Sequence, residues 1–181
     1  MQVGIFAAIP LVADREKLIL KRLAATPLRR WQLVGSNVLM RLLIALVQAL
    51  IIVGVGAFAF GVDVTGSIPL AVGFIVLGAL SFLALGYVVA SFAGTEDAAN
   101  GMTSVIQFPM MFLSGTFFPI DQMPDLLKGI ARVIPLTYLS DALRQVMVGG
   151  SAFAPLWACA AVLLGWLVVC FGIAATKFRW Q

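Results

Sequence analysis

The stretch from Asp14 to Arg30 reads DREKLILKRLAATPLRR and carries six Lys and Arg residues between two apolar runs. When successive residues are turned by about 100°, Ile19, Leu20 and Leu23 form a narrow apolar arc, and most of the cations occupy the rest of the circumference. A basic segment beside a membrane span indicates the cytoplasmic face. The pattern predicts a cytoplasmic amphipathic helix over residues 14–30, held either by anionic lipid or by a cytoplasmic protein.

The composition excludes a soluble protein. Hydrophobic residues make up 62% of the 181 residues, charged residues make up 11%, and the mean hydropathy is +1.07. The apolar runs are near or above the roughly 20 residues that a helix needs to cross the hydrocarbon, whereas barrel strands are about half as long and alternate polar with apolar residues. The sequence therefore predicts an all-α integral membrane protein that crosses the bilayer several times.

Four apolar runs predict complete transmembrane helices, and one shorter run predicts a partial span. The complete helices are expected over residues 41–62, 68–93, 101–118 and 153–176. Residues 1–13 are apolar but too short to cross a bilayer, and they carry neither the cationic start nor the cleavage site of a signal peptide. Four crossings after the basic helix return the chain to the side on which that helix lies.

Lys and Arg are distributed unequally between the two sides of this topology. The expected inner side holds Arg15, Lys17, Lys21, Arg22, Arg29, Arg30, Arg41, Lys177 and Arg179. The expected outer side holds Lys128, Arg132 and Arg144. Nine against three is a positive-inside bias. The net charge of +4 therefore reports topology, and no nucleic-acid partner is expected.

The segment over residues 119–150 predicts two short amphipathic helices on the outer side. Pro124 suits the first position of one helix, and a second amphipathic pattern begins after Pro135. Asp141 and Arg144 lie three residues apart on this second helix, so they can pair on one face. Two helices that lie at or dip into the outer interface fit the pattern, and surface helices with solvated charges are the simpler alternative.

Polar side chains are scarce inside the expected spans. Gln48 and Gln107 are the notable ones, and an amide in hydrocarbon normally bonds across a helix interface, although either residue could line a substrate path. Cys159 and Cys170 are separated by about 16 Å along one helix, too far for a disulfide, and are interpreted as buried apolar groups.

The motifs of the common energy-coupling mechanisms are absent from the sequence. It contains no P-loop motif and no His, and it lacks the intramembrane carboxylates of proton-coupled carriers. No enzymatic activity is expected of this chain. If it takes part in transport, the energy must come from another protein.

Three motifs resemble the ABC-2 type permeases, which are the membrane subunits of ABC exporters such as the drug-resistance and polysaccharide-export systems. The motifs are Arg15-Glu16-Lys17 with LKRLAATPLRRW at residues 20–31, LSGTFFP at residues 113–119, and IPLTY at residues 134–138 with DALR at residues 141–144. The resemblance covers most of the chain in the expected order.

The resemblance implies two functional regions. The first is a coupling helix that seats in a groove of a separate ATPase, through Arg15, Glu16, Lys17, Leu20, Lys21, Arg22 and Leu23. The second is a pair of re-entrant outer helices over residues 119–150 that close the exit, with an outer gate of Phe117, Phe118, Pro119, Pro135, Tyr138, Asp141 and Arg144. Gln48 and Gln107 are then candidates for the path or for interhelical bonds.

The resemblance also implies partners and location. ATP and Mg²⁺ are expected on the partner ATPase, with no cofactor or metal on this chain. A second permease copy or homologue and membrane lipid are the other expected partners, in the plasma membrane of a bacterium, that is, its inner membrane. The implied function is the permease subunit of an exporter for a drug, a polysaccharide or a lipid. The alternative is a non-transporting membrane scaffold or lipid-binding assembly factor.

The chain departs from the family pattern at two places. Leu18-Ile19 stand where family members usually have Gly-Thr, which makes the basic helix more apolar. The family also carries a complete first span, an outer segment and a second full span before the coupling helix, whereas this chain has only residues 1–13 there. We therefore expect a fragment, or a start that lies inside the true gene.

Overall fold

The computed structural model describes residues 1–16, 30–60, 66–116, 124–149 and 153–177, and every regular element within these ranges is an α-helix. The helices are α1 (Gln2–Ile5), α2 (Ala8–Glu16), α3 (Arg30–Phe60), α4 (Ile68–Phe92), α5 (Glu96–Leu113), α6 (Asp125–Ala131), α7 (Pro135–Val148) and α8 (Leu156–Lys177). The prediction of a helical membrane protein is confirmed, because three helices are long and apolar enough to cross a bilayer.

The three candidate spans are Gly35–Gly56 within α3, Ile68–Phe92 and Leu156–Lys177. The expected fourth full crossing over residues 101–118 is not confirmed. The corresponding helix α5 has 18 residues and starts with Glu96 and Asp97, so its first turn is acidic rather than apolar. It begins there because the Thr95 hydroxyl accepts a hydrogen bond from the Ala98 N–H and caps the helix.

Helix α4 is the centre of the bundle and contacts α1, α2, α3, α5, α7 and α8. Its small residues allow the neighbouring backbones to approach closely, as expected for helix packing in lipid. At Gly86 a Cβ atom would lie 2.6 Å from the Gly4 carbonyl oxygen, and Ala90, four residues further along the same face, is buried. The Ser81 hydroxyl donates to the Leu163 carbonyl at 2.9 Å and joins α4 to α8.

The amino-terminal segment is helical but interrupted. Helix α1 ends at Ile5 and α2 starts at Ala8, so Phe6 and Ala7 separate the two. Pro10 explains the interruption, because it cannot donate a hydrogen bond to the carbonyl of Phe6 and its ring crowds that carbonyl. Helix α2 then continues through Glu16, so the described part of the expected coupling helix extends the apolar segment without a break at residue 13.

Arg41 lies deeper than the sequence pattern predicts. The first crossing was expected to start at this residue, but α3 starts at Arg30 and the apolar span at Gly35, so Arg41 stands six residues, about 9 Å, inside the span. Its guanidinium donates to the Val3 carbonyl at 3.0 Å and to the Asn37 side-chain oxygen at 2.8 Å.

Candidate functional site

Helices α6 and α7 with the turn between them form one unit, called here the outer hairpin (residues 124–149). Its turn lies beside the middle of α8 rather than beside the end of that helix. The indole Nε1–H of Trp166 donates to the Val133 carbonyl in the turn at 3.0 Å. Trp166 stands ten residues, about 15 Å, from the start of α8 at Leu156, and α8 has 22 residues. The hairpin turn therefore reaches about halfway along a candidate membrane span.

Irregular backbone at this depth needs hydrogen-bond partners, because hydrocarbon supplies none. Two carbonyls of the turn have them: Val133 accepts from Trp166, and Arg132 accepts from the Tyr138 hydroxyl at 2.7 Å. The Tyr138 ring also packs edge-on against Phe153, with 6.1 Å between centroids.

Asp141 connects the outer hairpin to the beginning of α8. Its side chain is 4% exposed, and its carboxylate oxygens accept the backbone N–H groups of Phe153 and Ala154, each at 3.0 Å. The Gln145 amide donates to the same carboxylate at 2.7 Å, and the Arg144 guanidinium does so at 3.2 Å. We call Asp141, Gln145 and the two N–H groups of Phe153 and Ala154 the Asp141 latch.

The hydrogen bonds of the latch run both from the segment before α8 to α7 and from α7 back to that segment. Besides donating to Asp141, the Gln145 amide donates to the Ala154 carbonyl at 2.8 Å, so one side chain bridges a carboxylate and a backbone oxygen. Hydrogen bonds to an ionised acceptor are about twice as strong as neutral ones. The Asp141–Arg144 pair could be foreseen from the spacing of the two residues, but the bonds to Phe153 and Ala154 could not, since no local pattern indicates them.

The other sides of the hairpin meet α4 and the end of α5. Leu139 of α7 fills the space above Gly78, where a Cβ atom would lie 2.6 Å from its side chain. Towards α5, the Thr116 and Ser140 hydroxyls are 3.4 Å apart, which is a long contact. The hydrogen bonds of about 3.0 Å thus join the hairpin to α8 and to the residues just before it, whereas the contact of Leu139 with α4 is apolar.

Glu16 makes a corresponding connection at the opposite end of the bundle. Its Oε2 accepts the backbone N–H of Glu96 at 3.0 Å, which is the first N–H of α5. A carboxylate at this position satisfies a donor that has no intrahelical partner and stabilises the positive end of the helix dipole. Thus Glu16, a residue of the expected coupling region, caps the helix that leads to the outer hairpin.

The residues predicted for the coupling helix are described only in part. Arg15 and Glu16 belong to α2, and of these two the structure describes the Glu16 side chain. The remaining coupling residues lie outside the described ranges: Lys17, Leu20, Lys21, Arg22 and Leu23.

The residues predicted for the outer gate fall into two groups. Pro135, Tyr138, Asp141 and Arg144 all lie on α7, where Pro135 occupies the first turn and is buried. Three others lie outside the described ranges: Phe117, Phe118 and Pro119. Sequence reasoning missed Trp166 and Gln145, although a Trp in the middle of a span is a signal for a polar partner at that depth.

The two glutamines have different surroundings. Gln107 lies half-buried on α5, and among the described residues its Oε1 is a buried atom with no hydrogen-bond partner. Gln48 lies on α3 and lines a cavity of about 360 Å³ between α1, α3, α4 and α7. Of the two, Gln48 lines this cavity and Gln107 does not, and a role for either on a substrate path stays a prediction.

The chain is similar to known transporter proteins over most of its length. The model of the family described as "ABC-2 family transporter protein" matches residues 1–176. The chain is 26% identical over 155 residues to a protein of Escherichia coli (strain K12) named "Probable multidrug ABC transporter permease YbhR", with 86% of this chain and 42% of the relative covered. No solved structure matches the chain significantly.

Two further relatives come from other organisms. "ABC transporter G family member 20" of Dictyostelium discoideum is 26% identical over 171 residues, which cover 92% of this chain and 23% of the relative. "Nodulation protein J" of Rhizobium leguminosarum bv. trifolii is 36% identical over 97 residues, which cover 54% of this chain and 37% of the relative. The chain thus spans less than half the length of each of these curated relatives.

Proposed function

The chain belongs to the ABC-2 family of transporter proteins, and on that premise we propose that it is the permease subunit of an exporter driven by a separate ATPase. Its substrate is amphipathic or lipid-like, namely a drug, a polysaccharide or a lipid, and the path lies between this chain and a second permease copy or homologue in a bacterial inner membrane. ATP and Mg²⁺ bind to the partner ATPase. The observation that carries the proposal is the outer hairpin, whose turn lies halfway along α8.

A hairpin at that depth suits the role of an outer gate. It occupies volume that a substrate leaving through the outer half of the bilayer has to pass, and the Asp141 latch fixes it to one span at a defined position. Opening then requires a movement of α6 and α7 relative to α4 and α5, where the described contacts are apolar or long. Two discrete packings of one element are the usual basis of such a switch.

The inner end of the bundle suits the role of energy input. The basic segment that follows Glu16 is the surface on which the ATPase docks, because its cations and its apolar arc offer both charge and a hydrophobic contact. A displacement of this segment moves Glu16, and with it the first turn of α5, through the bond from the Glu96 N–H. Helix α5 carries the displacement towards Thr116 and the outer hairpin.

Site-directed cross-linking tests the docking step. A single cysteine at Leu20 or Leu23 in the full chain, co-expressed with the cognate ATPase, should cross-link to that ATPase and change in yield when ATP is added. The matched control is a cysteine at Leu126, a 75% exposed residue of the outer hairpin, which should form no such cross-link. The native Cys159 and Cys170 are buried and should stay unreactive. Cross-links from Leu20 and Leu23 to lipid alone would exclude the coupling mechanism.

A further inference from the structure

The cavity between α1, α3, α4 and α7 is lined by apolar side chains and a few polar ones. Its volume is about 360 Å³, within the range of about 300–1,000 Å³ that small-molecule sites occupy. The apolar wall includes Ile75 and Ala79 of α4 and Leu139 of α7. Arg41 and Gln48 of α3 both line it. They are seven residues apart and therefore share one face of the helix, so one ligand in the cavity can contact both.

Arg41 is a cation inside a membrane span, and among the described residues no carboxylate pairs with it. The ion pairs among the described residues are Lys128 with Asp125 and Arg144 with Asp141. The two hydrogen bonds of the Arg41 guanidinium go to neutral oxygens and use two of its five N–H donors. A charge about 9 Å inside a span is costly unless an anion or water compensates it, and such residues usually have a function.

We propose that this cavity binds the anionic headgroup of an amphiphile, with Arg41 as its counter-ion. The planar guanidinium matches the geometry of a phosphate or carboxylate, and the Gln48 amide supplies a further donor. The apolar wall accepts the proximal part of the hydrocarbon chain, which stays in the membrane while the head is bound. The volume suits one headgroup with a short length of chain and excludes a whole polysaccharide. Binding here needs no transport step, so it can fail or succeed independently of the docking of the ATPase.

Native mass spectrometry of the full chain in lipid nanodiscs tests the site. With phosphatidylglycerol as the probe in a phosphatidylcholine background, the wild type should retain phosphatidylglycerol selectively. Arg41→Gln should weaken its retention about 10- to 100-fold, as expected for losing a hydrogen bond to a charged group. Arg41→Lys should weaken it less, because the charge remains. Lys128→Gln is the matched control, since it removes a cation that does not line the cavity.

A cavity-filling variant keeps the test decisive if Arg41→Gln does not fold. Ala79→Leu leaves Arg41 in place and takes up part of the volume, so it should also lose phosphatidylglycerol. Equal retention by the wild type and Ala79→Leu, or no preference over phosphatidylcholine, would overturn the proposal. In a second arm, inorganic phosphate is added to nanodiscs of phosphatidylcholine alone. Binding as tight as that of phosphatidylglycerol would make a free anion the occupant and would refute an amphiphile, whereas weaker binding supports it.

Discussion

Replacing Asp141 by Ala removes the acceptor that holds the outer hairpin to α8. Its carboxylate accepts the Phe153 N–H, the Ala154 N–H and the Gln145 amide, and the residue is 4% exposed. Alanine can accept none of these bonds, so the two backbone N–H groups lose this acceptor and the Gln145 amide loses one of its two. The carboxylate also accepts the Arg144 guanidinium, but that side chain is 53% exposed and can bond to water instead. We expect Asp141→Ala to destabilise the contact between α7 and α8 while leaving the core around α4 intact.

The magnitude follows from the number and the burial of those donors. A buried donor without a partner costs about 1–3 kcal/mol. Phe153 and Ala154 are half-buried, so water can replace part of what the carboxylate supplied, and Gln145 keeps its bond to the Ala154 carbonyl. The lower end of the range therefore applies, which gives about 3 kcal/mol for the three groups. Asp141→Asn keeps one acceptor oxygen and should lose about half as much.

Thermal unfolding of the purified full chain measures this effect. At about 2–4 °C per kcal/mol for a chain of this size, Asp141→Ala should lower the Tm by about 6–12 °C. The matched control is Asp125→Ala on α6, whose carboxylate is fully exposed and forms an ion pair with Lys128 at 3.6 Å. This control should leave the Tm unchanged. If the two variants shift the Tm equally, Asp141 does not hold the hairpin and the latch has no energetic basis.

Three further changes test other contacts, each with its own measurement. Trp166→Phe removes the indole N–H that satisfies a carbonyl of the hairpin turn, so it should destabilise the fold by about 1–3 kcal/mol in thermal unfolding, whereas the 74% exposed Trp157→Phe should have little effect. Gly86→Ala places a Cβ atom 2.6 Å from a backbone carbonyl of α1 and should lower the Tm by several degrees. Gly73→Ala has open space around it and should leave the Tm unchanged, so equal shifts would contradict the packing argument. Glu16→Gln keeps the hydrogen-bond acceptor at the start of α5 but removes its charge, so we expect reduced substrate-stimulated ATP hydrolysis by the complex with unchanged amounts of folded protein. Unchanged stimulation would show that the charge of Glu16 takes no part in coupling.

The apolar spans could be predicted from the sequence because length and hydropathy decide them. The expected helix over residues 68–93 corresponds to Ile68–Phe92, and the one over residues 153–176 corresponds to Leu156–Lys177. The start of α3 was misplaced, since a helix does not end where its apolar span does: it begins at Arg30, five residues before the span at Gly35. The start of α5 was misplaced because hydropathy places it at residue 101, whereas Thr95 caps the helix and its first turn is polar.

The functional contacts were beyond sequence reasoning for a different reason. The Glu16 carboxylate meets a backbone N–H 80 positions away at Glu96, and Arg41 meets a carbonyl 38 positions away at Val3. Backbone groups carry no residue-specific signal, so a side chain that binds them leaves no pattern of paired residues. The Asp141–Arg144 pair was visible because both partners are side chains on one helix.

The polar bonds of the outer hairpin also indicate which parts of the bundle move together. Trp166 and Asp141 both join the hairpin to α8, one at the turn and the other near the beginning of the helix, about 15 Å apart along α8. Breaking either bond in hydrocarbon leaves a backbone group without a partner, whereas sliding the apolar contact between Leu139 and Gly78 does not. We therefore expect the hairpin and α8 to move as one body during opening. This movement also breaks the hydrogen bond from Ser81 of α4 to the Leu163 carbonyl of α8, after which the Ser81 hydroxyl keeps its bond to the Leu77 carbonyl. The displacement then occurs at the faces towards α4 and α5, where Thr116 and Ser140 are already 3.4 Å apart.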